Sequence, residues 1–569
     1  MTLPRQPLPK PKKPRPRTAR HPWLAHYPAH VPATVAAPKG GLPQIFLNSV
    51  AAYPTRPYLT FLGRTFDYTA IHTRATALAA ALQGLRLPPH SRVALCLPNC
   101  PAYVAAFWGT LLAGHVVVNL NPLLTAVELH HELVDSGASV LLTFNLHPTF
   151  GKLQEAVRGS AVKQVWVADL AADMPDLTAF GFKLLKWRDR VRTLPPGWYW
   201  KYEMMGHFAD FKPVPLRGSQ PALLQYTGGT TGTPKAAILT HASLLANTTQ
   251  VRAWLGAPRP EGEVMVAVLP LFHVFALTAI LNLGTAIAAH LVLMPQFALP
   301  TLLKIITRYQ PTLLPGVPTL FNALATNPKA AKVNLRCLRF CISGGAPLPQ
   351  AVKQAFEAKT GARVAEGYGL TEASPVLACN PSIGEATPGS VGYPLPGTAI
   401  QIRSDKPPFA VKKPGEIGEI WAKGPQLMAG YWHNPAATAQ VLRRGWLRTG
   451  DLGFVDQSGA LHVVDRLKDM IIVNGYKVYP RQLEEVLAQH PAVAEVIVLG
   501  VPHPKTGEAP KAFVTLKGAA QAEELRRWAN ARLNKLAQLV AVEVRDVLPK
   551  TLVGKLSRKE LAAAERASG

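Results

Sequence analysis

Short apolar runs alternate with segments of helical periodicity through most of the chain. RVALCLPN, PAYVAAFWGTLLAG and VVVNLNP read as strand, helix and strand, and SVLLTFN follows after a further helix. Units of this kind predict parallel sheets joined by crossover helices. Farther on, RCLRFCISGGAPLP reads as a strand entering a glycine-rich turn, PQAVKQAFEAKTG as a helix, and RVAEGYGLTE as a strand ending in a loop. Ligands bind at loops on the carboxyl ends of parallel strands. The C-terminal part changes character: a short helix RQLEEVLAQH, strands VAEVIVLGVP and KAFVTLK, then a longer helix AEELRRWANARLNKL. This predicts a compact α+β unit, with the charged run Asp465–Asp469 (DRLKD) as the boundary before it. No internal repeat is evident.

Val264 to Leu303 contains no Asp, Glu, Lys or Arg, and VFALTAILNLGTAIAAHLVLM is long enough to cross a bilayer. Asn282, Gly284 and His290 interrupt it and Pro270 and Pro295 bracket it, so a buried helix plus strand is expected.

Length and composition narrow the field. At 569 residues the chain exceeds what one core serves, and 48% hydrophobic with 17% charged residues describes a folded protein of several subdomains. The five cysteines form no CxxC pair, which argues against a disulfide framework or zinc site and fits a reducing cytoplasm. The net charge of +27 is concentrated at the start, where MTLPRQPLPKPKKPRPRTAR carries seven basic residues and six prolines. Such a segment stays extended, lacks the apolar core of a signal peptide, and either solubilises the chain or holds anionic lipid or nucleic acid. Basic and aromatic residues interleaved on a nucleic-acid-binding fold are not evident.

In YTGGTTGTPK, Tyr226–Lys235, three glycines, four threonines and a lysine occupy ten residues. Glycine permits close backbone approach, hydroxyls donate hydrogen bonds and lysine adds charge, a combination suited to a phosphate chain. The spacing is not that of a Walker P-loop, which disfavours a P-loop ATPase or kinase. The loop is expected between a strand and a helix.

YTGGTTGTPKAAILTH, LPLFHVFAL, GGAPLP, EGYGLTE, WLRTGDLG, DRLKDMI and LPKTLVGKLSR occur in the order seen in acyl-adenylate-forming (AMP-binding) enzymes, and GVPTLFNAL and KGPQLMAGYW are most similar to bacterial long-chain fatty-acid CoA ligases. The resemblance covers roughly Gly41 to Ala562. It implies an α/β fold with a large N-terminal domain of packed sheets and helices and a small mobile α+β C-terminal domain. The expected division is a basic disordered tail over 1–40, an AMP- and acyl-binding domain over 41–465, and the mobile domain over 466–569.

The implied chemistry turns a fatty-acid carboxylate into acyl-AMP with loss of pyrophosphate, after which CoA displaces AMP; an acyl-AMP ligase delivering to a carrier protein is the alternative. On this resemblance Thr227, Gly228, Gly229, Thr230, Thr231, Gly232, Thr233 and Lys235 grip the outer phosphates. Glu372 holds Mg2+ and Thr371 faces the α-phosphate. Tyr368, with Glu366, Gly367 and Gly369, offers a face for adenine, and Gly344, Gly345 and Ala346 line the other side. Asp451 and Arg466 hold the ribose. His273 lies near the carboxylate or phosphate, and Lys555 is the adenylation lysine. Lys468 is the hinge, and Asn474, Gly475 and Tyr476 border the pantetheine tunnel. The chain lacks the Lys-x-Pro element that many relatives carry near LNKLAQLVAVEV. Val274–Leu281 and Gly316–Leu324 are expected to line the acyl channel.

The partners on this reading are fatty acid, ATP and CoA, with a homodimer left open and no nucleic acid. A peripheral contact with an anionic membrane at its inner face is also expected. In FGFKLLKWRDRVR, written on a helix, Phe180, Leu184, Trp187 and Val191 share a stripe amid Lys183, Lys186, Arg188, Arg190 and Arg192. That pattern suits an anionic interface or a helix packed on the protein's own core.

Overall fold

The computed structural model describes residues 21–36, 40–200, 211–227, 234–383, 386–550 and 556–568. Two large sheets carry the N-terminal domain. The first has six parallel strands in the order Pro221–Thr227, Val116–Asn119, Arg92–Leu95, Val140–Phe144, Gln164–Ala168 and Trp198–Trp200, extended beyond Pro221–Thr227 by antiparallel Lys235–Thr240 and Gly430–Tyr431. The second is also parallel at its centre, running Arg363–Gly369, Phe340–Gly344, Leu313–Gly316, Val264–Ala267, His290–Leu293 and Pro57–Phe61 with antiparallel strands at both edges.

Strands such as Val116–Asn119 are buried at every position, as the centre of a parallel sheet covered on both faces requires. Between the sheets the helix Pro101–Leu112 is buried over its whole length. Trp108 stacks on Phe46 at 5.2 Å and donates its indole N–H to Tyr58 Oη at 3.1 Å. The apolar stretch after Pro270 folds as expected into buried helix and strand. Val274–Ala286 is helical, with a π turn over Leu277–Asn282, and His290–Leu293 is a strand. No helix among the described residues is long and apolar enough to cross a membrane.

An antiparallel sheet from Ala399–Arg403 to Leu461–Arg466 leads to the C-terminal unit. There Ile471–Val473, Tyr476–Val478, Val493–His503, Gly507–Leu516 and Ala541–Val544 form one sheet. Its core cluster runs from Ile471 to Val542 and shares no residue with the large core. The helix expected after Ala522 stops at Asn530, whose side chain bonds the backbone N–H and C=O of Leu539 and turns the chain back.

The N-terminal tail expected over 1–40 is shorter than that. Pro22–His26 forms a 3₁₀ turn that buries Trp23 against Gly459, His26 stacks on Tyr393, and the Tyr27 hydroxyl donates to the Pro394 carbonyl. Residues 1–20, with most of the basic charge, lie outside the described residues.

Candidate active site

The residues expected around adenine stand at the carboxyl ends of two neighbouring parallel strands. Phe340–Gly344 and Arg363–Gly369 are neighbours, with Gly344 opposite Gly367. Gly344 lies against the Phe275 ring, where a Cβ would come within 3.0 Å, and Gly345 turns the chain with φ +85°. Ala346 is half-buried beside them. Glu366 accepts the backbone N–H of Leu348 at 3.3 Å, so it braces the 344–348 loop; burial raises its pKa, opposed by that bond and the nearby Lys353 and Arg481. At Gly369 any Cβ would strike the Pro375 carbonyl, so the chain passes close enough there to place the turn Thr371–Ala373.

Tyr368 Oη donates to Asp451 Oδ2 at 2.7 Å, and Arg466 Nε lies 3.8 Å from the other Asp451 oxygen. Strand register sets this arrangement, because Asp451 and Arg466 are paired across Trp446–Val455 and Leu461–Arg466. Burial raises the Asp451 carboxyl, Arg466 and Tyr368 pull it down, and Glu372 and Lys468 are both near enough to act on it. Lys468 is held below the usual lysine range by burial and by Arg466. Tyr368, Arg466, Glu372 and Lys468 therefore all act on one carboxylate.

Glu372 Oε1 accepts the Tyr431 hydroxyl at 2.7 Å, and Lys235 Nζ sits 5.5 Å from the centre of the Tyr431 ring. Tyr431 is the site residue that motif reading did not single out. It lies within KGPQLMAGYW, and it reaches Lys235 because Gly430–Tyr431 adds to the strand Lys235–Thr240. That pairing also corrects the setting of the glycine- and threonine-rich loop. Thr227 and Lys235 face each other across an antiparallel hairpin, with Thr227 Oγ1 donating to the Lys235 carbonyl at 3.2 Å, and the helix His241–Leu255 begins only after the second strand. Gly228, Gly229, Thr230, Thr231, Gly232 and Thr233 lie outside the described residues, as does Lys555.

His273 is half-buried, and its Nδ1 accepts the Phe275 backbone N–H at 3.2 Å, capping the turn Val274–Ala276. That helix is tied to the Thr371 turn, since Thr278 Oγ1 donates to the Ser374 carbonyl at 2.7 Å. Asn474, Gly475 and Tyr476 are exposed at a tight hairpin, where Asn474 and Gly475 both take positive φ. Arg558 ties the turn Arg466–Asp469 to the C-terminal unit. It reaches Asp465 at 3.6 Å, Asp469 at 3.5 Å and Glu484 at 2.6 Å.

Comparison with known proteins agrees with this architecture. Residues 46–432 match the AMP-binding enzyme family and residues 482–555 match the AMP-binding enzyme C-terminal domain. The chain is 40% identical to a long-chain-fatty-acid–CoA ligase of Bacillus subtilis, over 96% of this chain and 98% of that one. It is 38% identical to a protein of the same name from Escherichia coli O157:H7, over 95% and 97%. An ATP-bound crystal structure of MatB from Rhodopseudomonas palustris superposes with a TM-score of 0.81 at 26% identity, over 93% of this chain and 99% of that one. This chain, then, belongs to the AMP-binding enzyme family.

Proposed function

We propose that the protein is an ATP-dependent, AMP-forming long-chain fatty-acid–CoA ligase. The observation that carries the reading is Asp451, a half-buried carboxylate bonded to Tyr368, facing Arg466, and within electrostatic reach of Glu372 and Lys468. One acidic group so placed can accept two ribose hydroxyls while Tyr368 borders the base. The relatives named above, alike over nearly the whole chain, supply the substrate class.

In the first half-reaction a fatty-acid carboxylate oxygen attacks the α-phosphorus of ATP and pyrophosphate leaves. Lys235 and the Thr227–Thr233 hairpin would hold the departing phosphates, and Lys555 would meet the negative charge crowding between carboxylate and α-phosphate. Thr371 and His273 would position these oxygens. In the second, the CoA thiol attacks the acyl carbonyl and AMP leaves, with Asn474, Gly475 and Tyr476 along the pantetheine path and Lys468 as the pivot between residues 41–465 and 466–569. Val274–Leu281 and Gly316–Leu324 would wall the acyl chain. Glu372 fits Mg2+: one oxygen accepts Tyr431, and Mg2+ takes one or two carboxylates with phosphate oxygens completing its shell. Bound there, the ion would neutralise phosphate charge. We place the enzyme in the cytoplasm, peripheral to the inner face of the membrane; a homodimer would not alter this chemistry.

The test is AMP release with and without CoA across fatty acids of increasing length. CoA-dependent turnover favouring long chains is expected. Acyl transfer to a carrier protein without CoA dependence would make it an acyl-AMP ligase, and no AMP release with any fatty acid would end the reading.

A further inference from the structure

The helix Asp176–Leu185 is apolar on two opposite sides, and one of them is uncovered. Ala179 is buried and Phe182 packs on the large core, which fixes the inner side. On the outer side Leu177, Phe180 and Leu184 follow the spacing i, i+3, i+7 and are 89%, 69% and 63% exposed. Leu185 and Trp187 continue the patch at 85% and 51%. Val191, expected on the same stripe, is buried instead, because its N–H donates to the Asn145 carbonyl and draws it into the sheet. Leu62, at the tip of the adjoining hairpin whose Gly63 lies against Pro175, adds to the edge. Exposed apolar side chains are ordinary singly; contiguous, they mark an interaction surface.

The rim of the patch is cationic. Lys183, Arg188 and Arg192 are exposed, and the two guanidinium groups lie 5.1 and 6.0 Å from the Trp187 ring centre. Two acidic neighbours are neutralised locally, Asp189 by Lys186 at 2.8 Å and Asp169 by Arg190 at 3.2 Å, and the exposed Asp176 stands at the far, N-terminal end of the helix from the cations. Both ends of the excursion are anchored. Buried Asp173 pairs with Arg74 before it, and the His147 N–H donates to the Asp189 carbonyl at 2.7 Å after it. The face is thus held outward before anything binds. It projects between Gln164–Ala168 and Trp198–Trp200, at the opposite end of the eight-stranded sheet from the Thr227–Lys235 hairpin.

We propose that this face docks on an anionic lipid bilayer, with Phe180, Leu184 and Trp187 entering the boundary between headgroups and acyl chains while Lys183, Arg188 and Arg192 meet lipid phosphates. An aromatic and aliphatic stripe rimmed by cations is the composition that such an interface selects. The proposal gives the peripheral attachment a defined surface and does not depend on which acid the enzyme activates. Each basic residue near an anionic surface contributes about fivefold in partitioning.

The test is co-sedimentation of the full chain with phosphatidylglycerol and phosphatidylcholine vesicles at low and high salt. It compares the chain with Phe180→Ser plus Leu184→Ser, with Lys183→Gln plus Arg188→Gln plus Arg192→Gln, and with a form lacking residues 1–20. The full chain should prefer phosphatidylglycerol at low salt. Each patch variant should lose at least tenfold in binding, while thermal midpoint and AMP release without vesicles stay unchanged, so that the ligase reading is scored separately. Failure to bind phosphatidylglycerol, or binding that only removal of residues 1–20 weakens, would overturn the proposal. So would a dimer in sedimentation velocity that the paired serine substitutions dissolve, because the patch would then belong to a second copy.

Discussion

The seam between the two large sheets and the seam between the large domain and the C-terminal unit are built from opposite materials. The first is mainly apolar and aromatic, with the helix Pro101–Leu112 buried on all sides, the Phe46, Trp108 and Tyr58 rings in contact, and a few buried hydrogen bonds such as those from Asn99 to the Ala267 and Leu269 carbonyls. The second is held by charge: Lys477 meets Asp405 at 2.8 Å, the Arg481 backbone N–H donates to Asp465 and its guanidinium to the Val463 carbonyl, and Arg558 reaches Asp465. Separating an apolar seam loses about 25 cal/mol per Å² exposed, whereas a partly exposed ion pair is worth about 0–1 kcal/mol and can be exchanged for water. If, as proposed above, the small domain presents two faces to one site, the second kind of seam is the one that suits it there, while the first suits the fixed sheets.

The sharpest way to break this comparison is Lys555→Ala. If the C-terminal unit delivers that charge across the seam, acyl-AMP formation should fall about 10²- to 10³-fold, while thioester formation from supplied acyl-AMP is largely spared. Equal losses in both half-reactions would mean that Lys555 is not delivered for one step. Next is Lys468→Pro, which fixes φ in the turn Arg466–Asp469. Adenylation should continue and CoA transfer should drop by about 10²; acyl-CoA made at the normal rate would place the pivot elsewhere. Asp451→Asn keeps the hydrogen bond from Tyr368 and removes the charge facing Arg466. A KM for ATP about ten- to a hundredfold higher is expected, since bonds to charged groups are worth about 1.5–3 kcal/mol.

How much of this was open to sequence reading depended on whether the determinant was local. Strands such as Arg92–Leu95 and Val140–Phe144 were legible because each carries a continuous apolar run, Val93–Leu95 and Val140–Leu142, that is buried on both faces. The Tyr368, Asp451 and Arg466 cluster was legible only through ordered motifs, since its members meet through strand register, which no single motif encodes. The second strand of the Thr227–Lys235 hairpin was missed because KAAILT is short and runs straight into the helical pattern HASLLANTTQ. Tyr431 was missed because a two-residue edge strand leaves no periodicity to detect. The outer face of Asp176–Leu185 could not be told from an inner one, because apolar residues occur on both sides and only tertiary packing decides which is covered.

Two further effects sharpen the comparison from the side of stability. Glu132 is a buried carboxyl on the helix Ala126–Ser136, which covers the outer face of the first sheet, and burial, with Glu128 and Asp135 adding to it, raises its pKa from 4.5 to about 8. A folded-state pKa above the unfolded one gives stability that is complete below pH 4.5 and lost as pH rises through about 8. Glu132→Gln should therefore match the wild type at pH 4 and exceed it by up to about 5 kcal/mol at pH 9, read by denaturant melts. Identical melts at both pH values would show that the carboxyl finds water. The smallest effect is that of Lys477→Gln at the polar seam. It should shift the ratio of the two half-reaction rates by less than about fivefold, and high salt should reproduce it.

The strand Pro57–Phe61 pairs with His290–Leu293, roughly 230 residues further along the chain, whereas the block from Arg92 to Ala168 pairs only with its sequence neighbours or with Pro221–Thr227 and Trp198–Trp200. On a ribosome moving at about 5–20 residues per second, the first strand would wait roughly ten to fifty seconds for its parallel partner. Until then Tyr58, Phe61 and Tyr68 have Phe46 and Trp108 beside them but lack the strand that completes their cover. Synthesis of this protein therefore carries a timed exposure, and slow translation or scarce holding chaperones should cost yield through this segment before any other.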